Sequence, residues 1–170
     1  MSSFWALNHT QAETEALLSP WFANLTALGI DFTPVYNSYD TLHEGWDESF
    51  AQETVGSDDA IVGSRLFLQE YLEDGATFNA TFDAWSGSAR YNASLLVGFN
   101  INAPNVAGVD NAVLPAWRNT TLHTMQGTWT DPTNFTTMAS ARAKLSELQL
   151  GWKAVTPDSG AYLASVISRS

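Results

Sequence analysis

Cysteine is absent from the 170 residues, which excludes disulfides, thiolate chemistry and zinc sites built on sulfur. Positive charge is scarce: 7 Lys and Arg stand against 18 Asp and Glu, a formal net charge of −11. A surface of that sign repels phosphate backbones and anionic lipid, so nucleic acid is not an expected partner. No stretch approaches the roughly 20 apolar residues of a spanning helix, so no membrane partner is expected either. The opening "MSSFWALNHT" has neither the basic segment nor the apolar run of a signal peptide.

Motifs that carry chemistry are equally thin. There is no GxGxxG, no P-loop and no other glycine-rich cradle for phosphates. "HEGWD" at His43 lacks the second His of a zincin motif. His9, His43 and His123 fall in separate elements without metal-ligand spacing, so each reads as a surface or hydrogen-bonded histidine and no metal is expected. Ser64 in "VGSRL" is outside any GxSxG frame. Asp58 and Asp59 are adjacent and read as part of a solvated loop. By themselves the residues specify no active site.

What is present begins with a core. Hydrophobic residues make up 45% of the chain and aromatics 12%, with seven Trp, a composition that folds. Six Asn-x-Ser/Thr sequons begin at Asn8, Asn24, Asn79, Asn92, Asn119 and Asn134. Eleven Asn would give roughly two by chance, so the excess suggests N-glycans and a secretory route, against a merely Thr- and Asn-rich composition.

Periodicity predicts the elements. "TQAE" from Thr10 is a capping box, followed by a helical face of Leu17, Trp21, Leu25 and Leu28 that Gly29 closes. Pro20 within it predicts a kink or two short helices. "IDFTPVYNSY" reads as an edge strand because Pro34 cannot donate to a ladder. A helix is expected from near Asp40, then a loop over "ETVGSDDAIVGS". "RLFLQEYLEDG" reads as a short helix ended by Gly75, and "ATFNATFDAW" as another. "NASLLVGFNI" alternates as a strand, "NAPNVAGVDNAV" has loop composition, and "RNTTLHTMQGTWT" is a strand expected to bulge near Gly127. The last helix starts at "DPTNF" and carries Met138, Ala141, Leu145 and Leu148, with Gly151 as its stop. These elements predict an α+β fold, an antiparallel sheet with helices packed on one face.

Trp117, Trp129 and Trp152 are expected first as core residues, and second as the lining of an apolar or sugar-binding surface. Arg118, in "LPAWRNTTLH", is a rare cation able to orient a polar ligand or pair with a carboxylate.

"NAVLPAWRNTTLH", "GTWTDPTNF" and "WKAVTPDSGAYL", in that order and spacing, resemble the C-terminal half of fungal FAD-linked oxidoreductases. That family is similar to berberine bridge enzyme and the glucooligosaccharide oxidases, within the vanillyl-alcohol-oxidase-like flavoproteins. "NHTQAETEALLSPW" and "YNSYDTLHEGWDESF" also resemble its substrate domain, and the likeness is weakest between about Leu68 and Asn92. The resemblance implies a secreted, glycosylated, two-domain enzyme. One domain holds FAD, often through a covalent His, while the other lays its sheet over the flavin ring and takes a small-molecule substrate: an alcohol, a sugar or a secondary metabolite. Residues 1–163 are then expected to be part of the substrate domain. Residues 164–170, "ASVISRS", are expected to be a divergent, disordered tail where relatives continue "GAYLNEAD".

The glycine-rich segment and covalent-linkage His of the flavin domain have no match here. The chain is therefore expected to be a truncated or partial enzyme that does not hold FAD alone, with the missing flavin domain as its partner. Tyr36, Asn37, Trp117, Arg118, Gln126 and Trp129 are the substrate-binding candidates implied, and no catalytic residue is. A non-catalytic carbohydrate-binding module and a non-functional remnant are the alternatives.

Overall fold

The structure is a computed structural model that describes residues 4–49, 60–90, 94–101, 103, 108 and 112–161. Asp58, Asp59, Asn92 and the tail at 164–170 lie outside the described residues. The chain forms two compact units, Met1–Val55 and Gly56–Ser170.

In the first unit, helix α1 spans Gln11–Ala27. Thr10 caps it as its composition predicts: the hydroxyl accepts from the Glu13 N–H, and the Glu13 carboxylate accepts from the Thr10 N–H at 2.7 Å. Those hydrogen bonds, the backbone one first, hold the Glu13 carboxyl below its ordinary pKa. At the other end Gly29 takes φ +69°, its N–H bonds Thr26 O, and the Ile30 N–H reaches Leu25 O. Those two bonds are the Schellman closure that favours glycine. Pro20 lies inside α1, which runs as one helix rather than two short ones. Its missing N–H would have bonded Ala16 O, and the Ser19 hydroxyl donates to that carbonyl instead.

Helix α2 is Leu42–Ser49, opened by a second reciprocal cap between Thr41 and Glu44. The strand expected over 30–39 does not form. Pro34 removes a donor, and among the described residues the unit has no strand to pair with it. Phe32 stacks on Phe22 instead, centroids 4.9 Å apart. The unit's tightest point is Gly45, where an added Cβ would meet Trp5 and Tyr39 ring carbons at 2.8 and 2.9 Å.

The second unit holds the sheet. Strands β1 (Ala60–Leu68), β2 (Ser94–Phe99) and β3 (Thr120–Trp129) run antiparallel in the order β1-β3-β2. Helices α3 (Glu70–Glu73), α4 (Gly75–Ala89) and α5 (Phe135–Val155) complete it, with a 3-10 turn at Pro115–Arg118. The fold class is α+β, as expected.

Three boundaries differ from the sequence reading. First, β1 occupies residues assigned to a loop and a helix. Leu66, Phe67 and Tyr71 have helical spacing, but pairing with β3 satisfies the backbone through Leu68. Gly63 is no loop signal either, since an added Cβ would lie 2.5 Å from Gln149 Nε2 on α5. Gly75 starts α4 rather than ending a helix, because Asp74 caps the Thr77 N–H at 3.1 Å. Second, the register shift lies opposite Phe67 and Leu68, while Gly127 pairs regularly with Val62. Third, α5 runs through Gly151 to Val155. Trp152 is fully buried and its indole N–H donates to Ala84 O, which holds the helix past the glycine. Pro157 is the effective stop, because a residue before proline is pushed out of the helical region.

The core is Leu66, Phe67, Leu68, Tyr71, Ala141, Leu145 and Trp152, with Phe67 edge-on to Trp152. The sequence had assigned Ala141 and Leu145 of this set to the apolar face of α5.

Candidate functional site

Antiparallel pairing assigns every strand residue to one of two faces. Gly63 meets Gln149, Phe67 meets Trp152 and Thr124 accepts from the Trp85 indole at 3.2 Å. These contacts put the odd residues of β1 and the even residues of β3 against the helices. The register then carries Leu96 and Gly98 with them. On this side Arg65 donates from Nε to Thr156 Oγ1 at 2.8 Å and from Nη2 to Thr156 O, fastening the end of α5 to the sheet. Burial lowers the pKa of that guanidinium, which stays charged.

The second face, turned away from the helices, carries Val62, Ser64, Leu66, Val97, Phe99, His123, Met125 and Trp129. The 3-10 turn covers one end of it. Trp117 stands edge-on to His123 at 5.2 Å between centroids, and Phe99 lies against the same imidazole at 6.2 Å. The Arg118 guanidinium donates to Ala103 O at 2.8 Å and the Ala103 N–H donates to Trp117 O, so the turn is tied to the chain after β2. Thr120 closes the other side of the turn by donating to Ala116 O at 2.7 Å. At the edge of β1, the Leu66 N–H donates to Gly160 O and the Ser159 hydroxyl donates to Leu66 O.

His123 is 6% exposed, and burial lowers its pKa, so the ring is neutral near neutral pH. A neutral imidazole between two aromatic rings can orient a polar group without adding charge. Toward the β2 edge and the far end of β3 the face opens: Phe99 is 40% exposed and Trp129 57%.

The candidates inferred from the sequence divide over this geometry. Trp117 and Arg118 lie together in the 3-10 turn, with Trp117 on the second face. Trp129 shares that face, but lies six residues from His123 along β3, roughly 20 Å away. Gln126 is fully buried on the opposite, helix-bearing face, so it does not converge with Trp129. One residue of register separates the two faces, and alternation in "TLHTMQGTW" alone does not say which one the helices cover. Tyr36 and Asn37 belong to the first unit, in its irregular 30–39 segment, half-buried and exposed respectively. Trp152 is core, as first expected. His123 and Phe99 were missed. The available signal was their shared strand parity with Trp129 once β3 is placed beside β2. Among the described residues no three His, Asp or Glu side chains gather where a metal ion could be held. No helix there is long and apolar enough to cross a membrane.

No protein-family model matches the chain. Over 175 residues it is 27% identical to the FAD-linked oxidoreductase ZEB1 of Gibberella zeae, covering 93% of this chain and 28% of that protein. The resemblance to FAD-linked oxidoreductases holds. A second match is structural: the crystal structure of the VAO-type flavoprotein MtVAO713 from Myceliophthora thermophila superposes with a TM-score of 0.75 at 22% identity. It covers 92% of this chain and 29% of that one, and it shows the fold. The chain thus spans under a third of the length of each protein it matches.

Proposed function

We propose that this chain supplies the substrate-side sheet of an FAD-linked oxidoreductase, with the cluster of Phe99, Trp117 and His123 turned toward a flat ring. One observation carries the reading. Helices cover one side of the sheet; on the other Ser64, Leu66 and a neutral His123 flanked by aromatic rings are buried, while Phe99 at the β2 edge stays exposed.

These residues fit the ring portion of FAD and not its phosphates. Apolar and aromatic side chains on a pleated sheet give a planar ring a stacking surface. Pyrophosphate needs oriented backbone N–H groups or free cations. Arg65 is engaged with Thr156, Arg118 with Ala103 O, and no glycine-rich turn occurs in the sequence. On this reading the phosphates are held by residues outside this chain, in the flavin domain that its resemblance implies. When bound, the flavin would supply the hydride acceptor. The residues described here exclude water, orient an alcohol, sugar or secondary-metabolite substrate, and offer a neutral imidazole beside it.

Titration of the purified chain with lumiflavin and with FAD, read by flavin fluorescence, tests this. Weak and equal midpoints, with no FAD retained through gel filtration, are expected for the two, both weakened further by Phe99→Ala. Failure of either flavin to bind, or FAD binding far more tightly than the bare ring, contradicts the reading. A carbohydrate-binding module is the second reading, favoured by the exposed Trp129 indole; binding to a glycan array without any flavin affinity would establish it instead.

A further inference from the structure

Helix α4 contains a buried threonine whose hydroxyl bonds to none of the described residues. Thr81 is 2% exposed, and its Oγ1 has no hydrogen-bond partner among the described residues. Helical threonines commonly donate to the carbonyl one turn back. Thr14 does so to Thr10 O and Thr26 to Phe22 O, whereas Thr81 does not. A buried hydroxyl without a partner lowers stability, and valine would fill the same space without it.

Thr81 is the third residue of the sequon Asn79-Ala80-Thr81. Two residues of helix turn Asn79 roughly 200° away from Thr81, and Asn79 is exposed. Beside it Phe78 and Phe82 are 42% and 52% exposed and stack with centroids 6.1 Å apart. Phe82, three residues on, shares the side of the helix that Asn79 occupies. In three other sequons a polar side chain bonds within the fold. Thr10 caps α1, Thr26 bonds Phe22 O, and Asn134 caps α5 by accepting from the Thr136 and Thr137 N–H groups.

We propose that Asn79 carries an N-linked glycan, that the Thr81 hydroxyl is read for this purpose before folding buries it, and that the first sugar covers the Phe78–Phe82 pair. In the transfer, Asn79 Nδ2 bonds to the anomeric carbon of an N-acetylglucosamine. The bond from that carbon to the pyrophosphate of a lipid-linked oligosaccharide donor breaks, the lipid pyrophosphate leaves, and the amide gives up one proton.

The test is expression of the full chain behind a secretion leader in a glycosylating host, with site occupancy read by peptide mass spectrometry after enzymatic deglycosylation. Occupancy at Asn79 is expected in the parent and in Thr81→Ser, with its loss in Thr81→Val. Made in a bacterial host, Thr81→Val should unfold at a denaturant concentration no lower than the parent. An unmodified Asn79 in the secreted chain overturns the proposal. So does a Thr81→Val protein that is less stable without glycans, since the hydroxyl would then serve the fold.

Discussion

The units Met1–Val55 and Gly56–Ser170 carry similar apolar periodicity in sequence but bury it to different degrees. No residue of α1 is buried: of the face that periodicity marks, Leu17, Trp21 and Leu28 are exposed and Leu25 is half-buried. In α5 the same spacing puts Ala141, Leu145 and Trp152 in the core. The difference is the sheet. A helix laid on β1 and β3 has a broad surface to bury against, whereas α1 has within its own unit one short helix and irregular chain. Apolar spacing therefore states what a helix can bury, and a neighbouring layer decides what it does bury.

The comparison can be broken most sharply at tryptophan. Trp152→Ala should destabilise the second unit by about 3–5 kcal/mol, the cost of truncating a buried aromatic, in chemical denaturation. Trp21→Ala should cost about 1 kcal/mol or less, as for partly exposed sites away from a core. Equal losses would show that the two units are packed alike.

Glycine positions give the next contrast, with the order reversed. Gly45→Ala presses a methyl into the rings of Trp5 and Tyr39 and should cost about 1–3 kcal/mol, read as a lowered midpoint of the first unit. Gly63→Ala meets only the end of the Gln149 side chain, which can swing away, so its loss should be smaller. Thr10→Ala removes the hydroxyl that accepts the Glu13 N–H, leaves the residue-10 N–H free to donate to Glu13, and should cost about 1 kcal/mol, with reduced helicity by circular dichroism.

The smallest effect is a pH dependence confined to the second unit. Burial lowers the His123 pKa below its ordinary 6.5, so over the range just beneath 6.5 the unfolded chain binds more protons than the folded one. Stability due to His123 is thus complete above 6.5 and declines as pH falls from 6.5 toward the lowered value. His123→Gln should flatten that decline in urea titrations at a series of pH values.

Local chemistry made much of the fold legible. The Thr10–Glu13 box, the Gly29 stop, the alternation of "NASLLVGFNI" and the helix from "DPTNF" all follow from contacts within a few residues. What failed depended on distant partners. β1 is a strand because β3 lies beside it, 30–39 is not one because its own unit has no strand among the described residues, and Gly151 is helical because Trp152 reaches Ala84. The candidate site was half legible for the same reason. Trp117 and Trp129 stand out as aromatics in the sequence, but only the packing of α4 and α5 puts Gln126 on the other face and brings Phe99 to His123.

The four tryptophans of the second unit test the central claim directly. Trp85 and Trp152 donate their indole N–H groups on the helix-bearing side, to Thr124 and Ala84 O, while Trp117 and Trp129 lie on the second face. Nitrogen-proton correlation spectra of the labelled chain would resolve these indole signals during a lumiflavin titration. The account predicts that the Trp117 signal moves while those of Trp85 and Trp152 stay in place. Movement of Trp85 and Trp152 instead, or of none of the four, would contradict it.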